Sequence, residues 1–261
     1  MLSSLQSEKK RRELNEKLIK YTLILAAAIS ILTTFGILFS ILFEAIEFFQ
    51  LRSFWYFLTG TIWSPGVANS QFGALPIFAG TFVITIIALL VAIPIGLGSA
   101  IYMSEYASPK FRDYLKPILE ILAGIPTVVY GFFAAITVAP LVVKVAAFFG
   151  LEATFNSALA SGIVMGIMII PLISSLSDDV IRAVPDSQRK AAFALGMTHG
   201  ETIKNIVIPS AMPGIISASL LALSRALGET MIVVMAAGLR PNLSWNPLED
   251  MTTVTVTIVN S

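Results

Sequence analysis

The stretch QRKAAFALGMTHGETIKNIVIP, from Gln188 to Pro209, is a polar, charged island between two long apolar runs. Ala191 and Ala192 begin a small-residue helical face, and Gly196 interrupts it. A second, more apolar segment then leads to Pro209. The pattern predicts an exposed short helix, a glycine joint and a second helix. Together they would form a lever that a protein outside the membrane can hold.

The composition indicates a polytopic membrane protein. Of the 261 residues, 56% are hydrophobic and 13% are charged, whereas soluble domains carry about 25% charged residues. The net charge of +1 gives no reason to expect a nucleic-acid partner, and the chain has no Cys and one His. We therefore expect no metal site and no cofactor bound by this chain. The sequence also lacks a glycine-rich loop followed by Lys-Ser/Thr, so we expect it not to hydrolyse ATP itself.

Five apolar runs are long enough to cross a bilayer, since a helix needs about 20 residues to span about 30 Å of hydrocarbon. Hydrocarbon offers no partner for backbone amides, and the runs lack the alternation of a barrel strand. The fold class predicted is thus an all-α membrane bundle. The predicted spans are Tyr21–Phe43, Leu75–Met103, Ile118–Val143, Ala153–Ser177 and Ala211–Gly238.

Lys and Arg are concentrated in three segments: before the first run, after the second and after the fourth. Basic residues favour the cytoplasmic side of a membrane, and all three segments fall on one side of the predicted bundle. We therefore expect the N-terminus and the Gln188–Pro209 lever to be cytoplasmic. The first run is interpreted as a retained helix and not a signal peptide, because no small-residue cleavage site follows it.

Arg225 and Glu229 lie within an otherwise apolar run, in LSRALGETM from Leu223 to Met231. A central Arg costs roughly 2.5–3.5 kcal/mol on insertion scales. Residues four apart share one helix face, so the two side chains could neutralise each other and fix the packing. The functional alternative is a positively charged binding site on the path of an anion, because the planar guanidinium donates two parallel hydrogen bonds. Glu229 would then keep Arg225 from binding the anion too tightly, and Thr230 would lie beside this site.

Three further features have both a functional and a structural interpretation. Gly124 and Pro126 could form a kinked gate, or an ordinary kink with close helix packing. Tyr130 could donate to an anion, or pack as an interfacial aromatic residue. Gly162 and Gly166 are spaced as in small-residue packing motifs and are assigned to packing.

The acidic residues near the lever are predicted to be structural. Asp178 and Asp179 are interpreted as part of a solvated loop face. Asp186, directly after Pro185, is predicted to be the N-cap of the lever's first helix.

The lever resembles the EAA loop of importer-type ABC permeases, in the spacing Ala191-Ala192-x3-Gly196 with Pro209 at its end. The chain has Lys190 where that consensus has Glu and Ile208 where it has Leu. The resemblance implies a coupling helix that docks on a separate ATPase subunit. The residues it assigns to coupling are Lys190, Ala191, Ala192, Gly196, Glu201, Ile208 and Pro209.

Three other stretches resemble the phosphate-specific (Pst) permeases, and PstC subunits more than PstA. They are the stretch from Arg225 to Met231, the stretch LAGIPTVVYG from Leu122 to Gly131, and Trp63-Ser-Pro65 with Phe72–Pro76 and Gly80-Thr81. The resemblance implies a type I importer (MetI-like) bundle whose translocation pathway involves Arg225 and Glu229. It implies as partners a PstA-like second permease, two PstB-like ATPases carrying ATP and Mg, a PstS-like binding protein and the lipid bilayer.

The expected organisation follows from these matches. Residues 1–20 are predicted to be cytoplasmic, 21–43 the first span and 44–74 a periplasmic loop. Residues 75–240 would form the permease core with coupling loop 186–209, and 241–261 a periplasmic segment that we expect to be truncated before a sixth helix. The membrane would be the plasma (inner) membrane of a bacterium or archaeon.

Three alternatives stay open at this point. A permease for another oxyanion, such as molybdate, tungstate or sulfate, would use the same Arg chemistry. A secondary transporter or channel could use Arg225 and Glu229 without ATP, although it would have no use for the lever. A regulatory membrane scaffold would not need Arg225 for signalling.

Overall fold

A computed structural model describes the backbone of residues 2–66 and 70–260 and the side chains of residues 16–66 and 70–260. This part of the chain is mostly helical, which confirms the all-α prediction. The basic side chains of residues 9–12, on which the N-terminal orientation partly depends, lie outside the described residues. So do residues 67–69 of the predicted periplasmic loop and Ser261.

The helices follow one another with short connections. In chain order they are α1 (Leu2–Leu51), α2 (Phe54–Thr59), α3 (Leu75–Ile101), α4 (Pro109–Ala123), α5 (Thr127–Phe133), α6 (Ala139–Phe148), α7 (Ala158–Ala183), α8 (Asp186–Ala194), α9 (His199–Thr202), α10 (Ile208–Leu227), α11 (Met231–Ala236) and α12 (Val254–Asn260). Three π-helical turns continue them: Tyr102–Tyr106 after α3, Ala134–Val138 between α5 and α6, and Ile203–Val207 between α9 and α10. Strands β1 (Trp63–Ser64) and β2 (Gln71–Phe72) pair antiparallel.

The chain divides into two compact units, Met1–Phe57 and Leu58–Ser261. In the first unit, α1 continues beyond the predicted end at Phe43 as far as Leu51. No Gly or Pro interrupts it after Gly36, so its helical pattern has no local reason to stop. Part of the predicted 44–74 loop is therefore helical.

Among the described residues, five segments are long and apolar enough to cross a membrane, which is the number predicted. They are Glu16–Leu51, Leu75–Tyr106, Thr127–Phe148, Ala158–Ala183 and His199–Leu227. The third begins later than predicted, because Gly124 and Pro126 separate it from α4. The fifth ends earlier, because α10 stops at Leu227 and Gly228 caps it.

Helices α3 and α7 form the centre of the second unit. A Cβ atom added at Gly162 would lie 2.7 Å from the Cβ of Ile87, and one at Gly166 would lie 2.8 Å from the carbonyl oxygen of Ala88. Only glycine permits the two backbones to come this close. The packing role predicted for Gly162 and Gly166 is thus confirmed.

The segment after α11 folds back over the end of this pair. The backbone N–H of Met251 donates to the carbonyl of Ala237 at 3.0 Å, and that of Ser157 donates to the carbonyl of Ala236 at 2.9 Å. The N–H of Val254, where α12 begins, donates to Thr81 Oγ1 in α3 at 3.0 Å. Backbone bonds near the start of α7 and a bond to the Thr81 hydroxyl in α3 therefore fix residues 237–254 against the start of these two helices.

Candidate functional site

Arg225 lies in the last turn of α10, not in the middle of a continuous helix as expected. The helix ends at Leu227, Gly228 is its C-cap, and Glu229 lies in the break before α11. The prediction that Arg225 and Glu229 share one helix face is therefore wrong. Glycine ends helices readily, and here it does so inside an apolar run that looked unbroken.

Glu229 is 7% exposed, and its carboxylate caps the start of α11. Its Oε1 accepts hydrogen bonds from the backbone N–H groups of Met231 at 3.0 Å and Ile232 at 3.3 Å. These donors have no partner within the helix. Its own carbonyl accepts from Thr255 Oγ1 at 2.9 Å. In the described part of the chain it forms no ion pair with Arg225, so Glu229 satisfies the backbone and does not neutralise the Arg.

A second helix break lies beside the first. Gly124 ends α4 and Pro126 precedes α5, which places the predicted gate residues in the break itself. Tyr130 Oη donates across it to the carbonyl of Leu122 at 3.0 Å. Pro126 has no N–H to donate. The observed partner of Tyr130 is thus the backbone that the break exposes.

Arg225 connects the two breaks. Its Nη2 donates to the carbonyl of Ala123, the last residue of α4, at 3.5 Å. A guanidinium has five N–H donors, and this is its one hydrogen bond to the described residues. The half-buried Arg225 therefore keeps donors available for a ligand. Thr230, also half-buried, follows in the break, and its side chain caps no helix.

Helices α5 and α11 approach closely next to these breaks. A Cβ atom at Gly131 would lie 2.8 Å from Met235 Sδ and 3.1 Å from the carbonyl oxygen of Met231. Broken helices that bring irregular backbone together line cavities in membrane transporters, because such backbone is not tolerated against lipid. The group at these breaks that can bind an anion is the guanidinium of Arg225, because the first N–H groups of α11 already donate to Glu229.

The predicted coupling loop, residues 186–209 and called the coupling segment from here on, has the expected geometry of two short helices with a glycine joint. Helix α8 runs over Asp186–Ala194, and Gly196 has φ +82°, a left-handed conformation that favours glycine. Pro185, and not Asp186, is the N-cap of α8, so the predicted cap is wrong. Asp186 instead accepts from Arg189 Nη1 at 3.3 Å.

The predicted coupling residues fall into two groups. Lys190, Ala191, Gly196, Glu201 and Pro209 are exposed, whereas Ala192 is buried and Ile208 half-buried. Glu201 Oε2 accepts from the N–H and the Oγ1 of Thr198, both at 2.8 Å, and completes a capping box at the start of α9. An apolar groove of about 570 Å³ lies between α8 and the start of α10, lined by Gln188, Ala191, Ala192, Leu195, Met197, Asn205, Ile206, Pro209 and Ser210.

The sequence interpretation missed a set of ion pairs at this end of the molecule. Asp178 is 0% exposed within α7, and Arg112 Nη2 donates to its Oδ2 at 2.7 Å. Asp179 pairs with Lys116. The prediction that both aspartates belong to a solvated loop is wrong, because α7 continues to Ala183. The available signal was the four-residue spacing of Arg112 and Lys116, which puts two cations on one face of α4.

The comparisons with known proteins agree on the family. The sequence profile described as binding-protein-dependent transport system inner membrane component matches residues 92–253. The probable ABC transporter permease protein YqgH of Bacillus subtilis is 37% identical over 202 residues, which is 77% of this chain and 64% of YqgH. The phosphate transport system permease protein PstC 1 of Mycobacterium tuberculosis is 34% identical over 235 residues, which is 78% of this chain and 70% of PstC 1.

The phosphate transport system permease protein PstC of Mesorhizobium japonicum is 34% identical over 254 residues, 90% of this chain and 76% of that protein. Among solved structures, an amino acid ABC transporter matches 64% of this chain and 74% of its own, with TM-score 0.43 and 20% identity. The profile match covers more than half of the chain, and PstC proteins align over most of it. The chain is therefore a multi-pass membrane protein of the family of inner membrane components of binding-protein-dependent transport systems.

Proposed function

We propose that this chain is the PstC-like permease subunit of an ATP-driven importer of inorganic phosphate. The observation that carries the proposal is Arg225, a half-buried arginine between two helix breaks with one backbone hydrogen bond among the described residues. Inorganic phosphate is an anion at neutral pH, with several acceptor oxygens for hydrogen bonds. A guanidinium fork offsets the desolvation of such an ion. The similarity to PstC proteins supports phosphate as the substrate.

The proposed complex contains a PstA-like second permease, two PstB-like ATPases that bind ATP and Mg, and a PstS-like phosphate-binding protein on the outer face. The chain itself is a non-catalytic subunit and binds no cofactor. Its coupling segment and its N-terminus face the cytoplasm in this proposal, because segments rich in Lys and Arg favour the cytoplasmic side of a membrane. The exposed residues of α8, Lys190 and Ala191 among them, offer the surface that the ATPase would hold.

The pathway has a physical rationale in the two breaks. Glu229 is occupied by the backbone of α11 and leaves the charge of Arg225 uncompensated within the site. A tetrahedral anion can then bind to the free guanidinium donors when the helices move apart. In this proposal alternating access depends on rocking around the breaks, driven by closure of the two ATPases through the coupling segment.

Uptake by proteoliposomes tests the proposal. The reconstituted complex contains this chain, the second permease subunit, the ATPases, the binding protein and ATP, and radiolabelled phosphate is measured inside. We expect Arg225→Gln to abolish uptake with the complex intact, and Arg240→Gln, an exposed arginine beyond α11, to leave uptake unchanged.

The outcomes separate the alternatives. Uptake that Arg225→Gln leaves unchanged would return Arg225 to a packing role. Uptake of molybdate, tungstate or sulfate in place of phosphate would assign the same site to another oxyanion. Uptake that continues without ATP hydrolysis and follows an ion gradient would identify a secondary transporter.

A further inference from the structure

Arg189 is the centre of a buried hydrogen-bond cluster at the start of the coupling segment. Its Nη2 donates to Glu105 Oε1 at 2.8 Å and to the carbonyl of Ile181 at 3.0 Å. Its Nη1 donates to the carbonyl of Val184 at 2.5 Å and to Asp186 Oδ1 at 3.3 Å. The Arg189 side chain is 15% exposed and that of Glu105 is 5% exposed. The charge-assisted bond between Arg189 and Glu105 is thus largely shielded from water, which makes it the stronger kind, whereas the side chain of Asp186 is 82% exposed.

The cluster joins three parts of the second unit. Ile181 and Val184 present carbonyls at the end of α7, and that of Ile181 also accepts from the backbone N–H of Val184 at 3.3 Å. A cation at a helix C-terminus is also favoured by the helix dipole. Glu105 belongs to the π-helical turn Tyr102–Tyr106 that continues α3. One side chain of α8 therefore holds the ends of both central helices.

The second helix of the coupling segment contacts the same turn. His199 Nε2 lies 3.2 Å from the carbonyl oxygen of Glu105, and the His199 ring meets the ring of Tyr106 edge to face with centroids 5.1 Å apart. Helices α8 and α9 thus both attach to one π-helical turn. Such turns often mark functional positions in helices.

Neighbouring positions in α8 have opposite environments. Lys190 is exposed, whereas Arg189, one residue earlier, points into the protein. The exposed side is free for a partner, and the buried side is already bonded to α3 and α7. A force applied to the outer face of α8 would reach the two central helices through Arg189.

We propose that Arg189 is the positioning residue that transmits movement of the coupling segment to α3 and α7, through Glu105 and the end of α7. The proposal rests on the proposed function, in which an ATPase holds the coupling segment. Replacing the Arg189 side chain leaves the exposed face of α8, on which the ATPase would dock, in place. ATP hydrolysis would then continue without productive movement of the central helices.

The first test measures phosphate uptake and ATP hydrolysis in the same proteoliposomes of the full complex. We expect Arg189→Gln to lower phosphate transported per ATP hydrolysed about tenfold or more, because several bonds to a charged group are lost. Glu105→Gln should lower the ratio less, since Arg189 keeps its bonds to Ile181 and Val184. Arg182→Gln, an exposed arginine in the last turn of α7, is the matched control and should leave the ratio unchanged.

The second test does not depend on the substrate. The chain has no Cys, so spin labels can be placed on Ser104→Cys, next to Glu105, and Ser187→Cys in α8. We expect a narrow distance distribution that stays the same with and without a non-hydrolysable ATP analogue. With Arg189→Gln the distribution should broaden and shift when the analogue binds.

The two measurements separate the two proposals. A wild-type complex that takes up no phosphate would overturn the substrate assignment, and the label distance would still decide the role of Arg189. A wild-type label distance that changes with the analogue would overturn the rigid attachment. An Arg189→Gln complex that transports as much phosphate per ATP hydrolysed as wild type would also overturn the proposal. If Arg189→Gln does not assemble, Glu105→Gln carries both measurements, and unchanged values there would equally overturn the proposal.

Discussion

Replacing Arg112 by methionine would leave the carboxylate of Asp178 buried without a charged partner. Arg112 Nη2 and Nε donate to Asp178 Oδ2 at 2.7 and 3.2 Å. The other oxygen, Oδ1, is buried and already has no hydrogen-bond partner in the described part of the chain. Asp178 would therefore lose both bonds at once.

The size of the effect follows from burial. Asp178 is 0% exposed and Arg112 17% exposed, and removing one partner of a buried ion pair costs about 3–5 kcal/mol. The neighbouring pair of Lys116 with Asp179 has an aspartate that is 54% exposed, and an exposed pair contributes about 0–1 kcal/mol. Arg112→Met should thus destabilise the protein several times more than Lys116→Met.

The free energy of unfolding of the detergent-solubilised protein, from denaturant titration followed by circular dichroism, measures this difference. Lys116→Met is the matched control because it removes a cation from the same helix face. The double variant Arg112→Met with Asp178→Asn should recover part of the loss, because it removes the uncompensated charge.

Two results would refute the reasoning. Equal losses for Arg112→Met and Lys116→Met would mean that the burial of Asp178 does not decide the cost. A double variant less stable than Arg112→Met would mean that the buried carboxylate charge is not the source of the loss.

Two more predictions concern the coupling segment and the loop between α11 and α12. Gly196→Ala should destabilise the coupling segment by about 1–2 kcal/mol, because its φ of +82° is left-handed. Gly200→Ala should not, because a Cβ atom meets open space at both positions and Gly200 has no positive φ. Hydrogen exchange of this segment measures both effects. Hydrogen bonds from Ser244 and from two asparagines lower the pKa of Glu249. The contribution of Glu249 to stability is therefore present above the ordinary pKa of 4.5 and is lost as the pH falls through the lowered pKa. Hydrogen exchange in residues 237–253 should therefore rise on acidification, and Glu249→Gln should flatten that rise; a variant with the same pH profile as wild type would contradict this assignment.

Local patterns in the sequence predicted much of the fold. Hydrocarbon forces the backbone to bond internally, so long apolar runs had to become helices. The glycine joint at Gly196 and the packing of Gly162 and Gly166 could be predicted because a small side chain has few structural uses inside a membrane bundle. The motif with Arg225 drew attention to a region that does contain a helix break.

The positions of the breaks were harder to predict. Gly228 lies within a largely apolar run, and only the two polar residues Glu229 and Thr230 separate it from the next apolar stretch. Glu229 looked like a partner for Arg225 because four-residue spacing implies a shared face only while the helix continues. Once α10 ends, the N–H groups of α11 become the nearest donors, and the carboxylate turns to them.

The sequence by itself thus determined that this is a helical membrane protein with five apolar runs long enough to span, a polar segment with a glycine joint and an arginine within the last apolar run. Only the tertiary structure decided which charges meet. Arg189 bonds Glu105 and Arg112 bonds Asp178 across separations of 84 and 66 residues. Such pairs depend on which helices pack together and how each is rotated about its axis. Both are set by side-chain packing between distant segments, which the spacing within one segment does not encode.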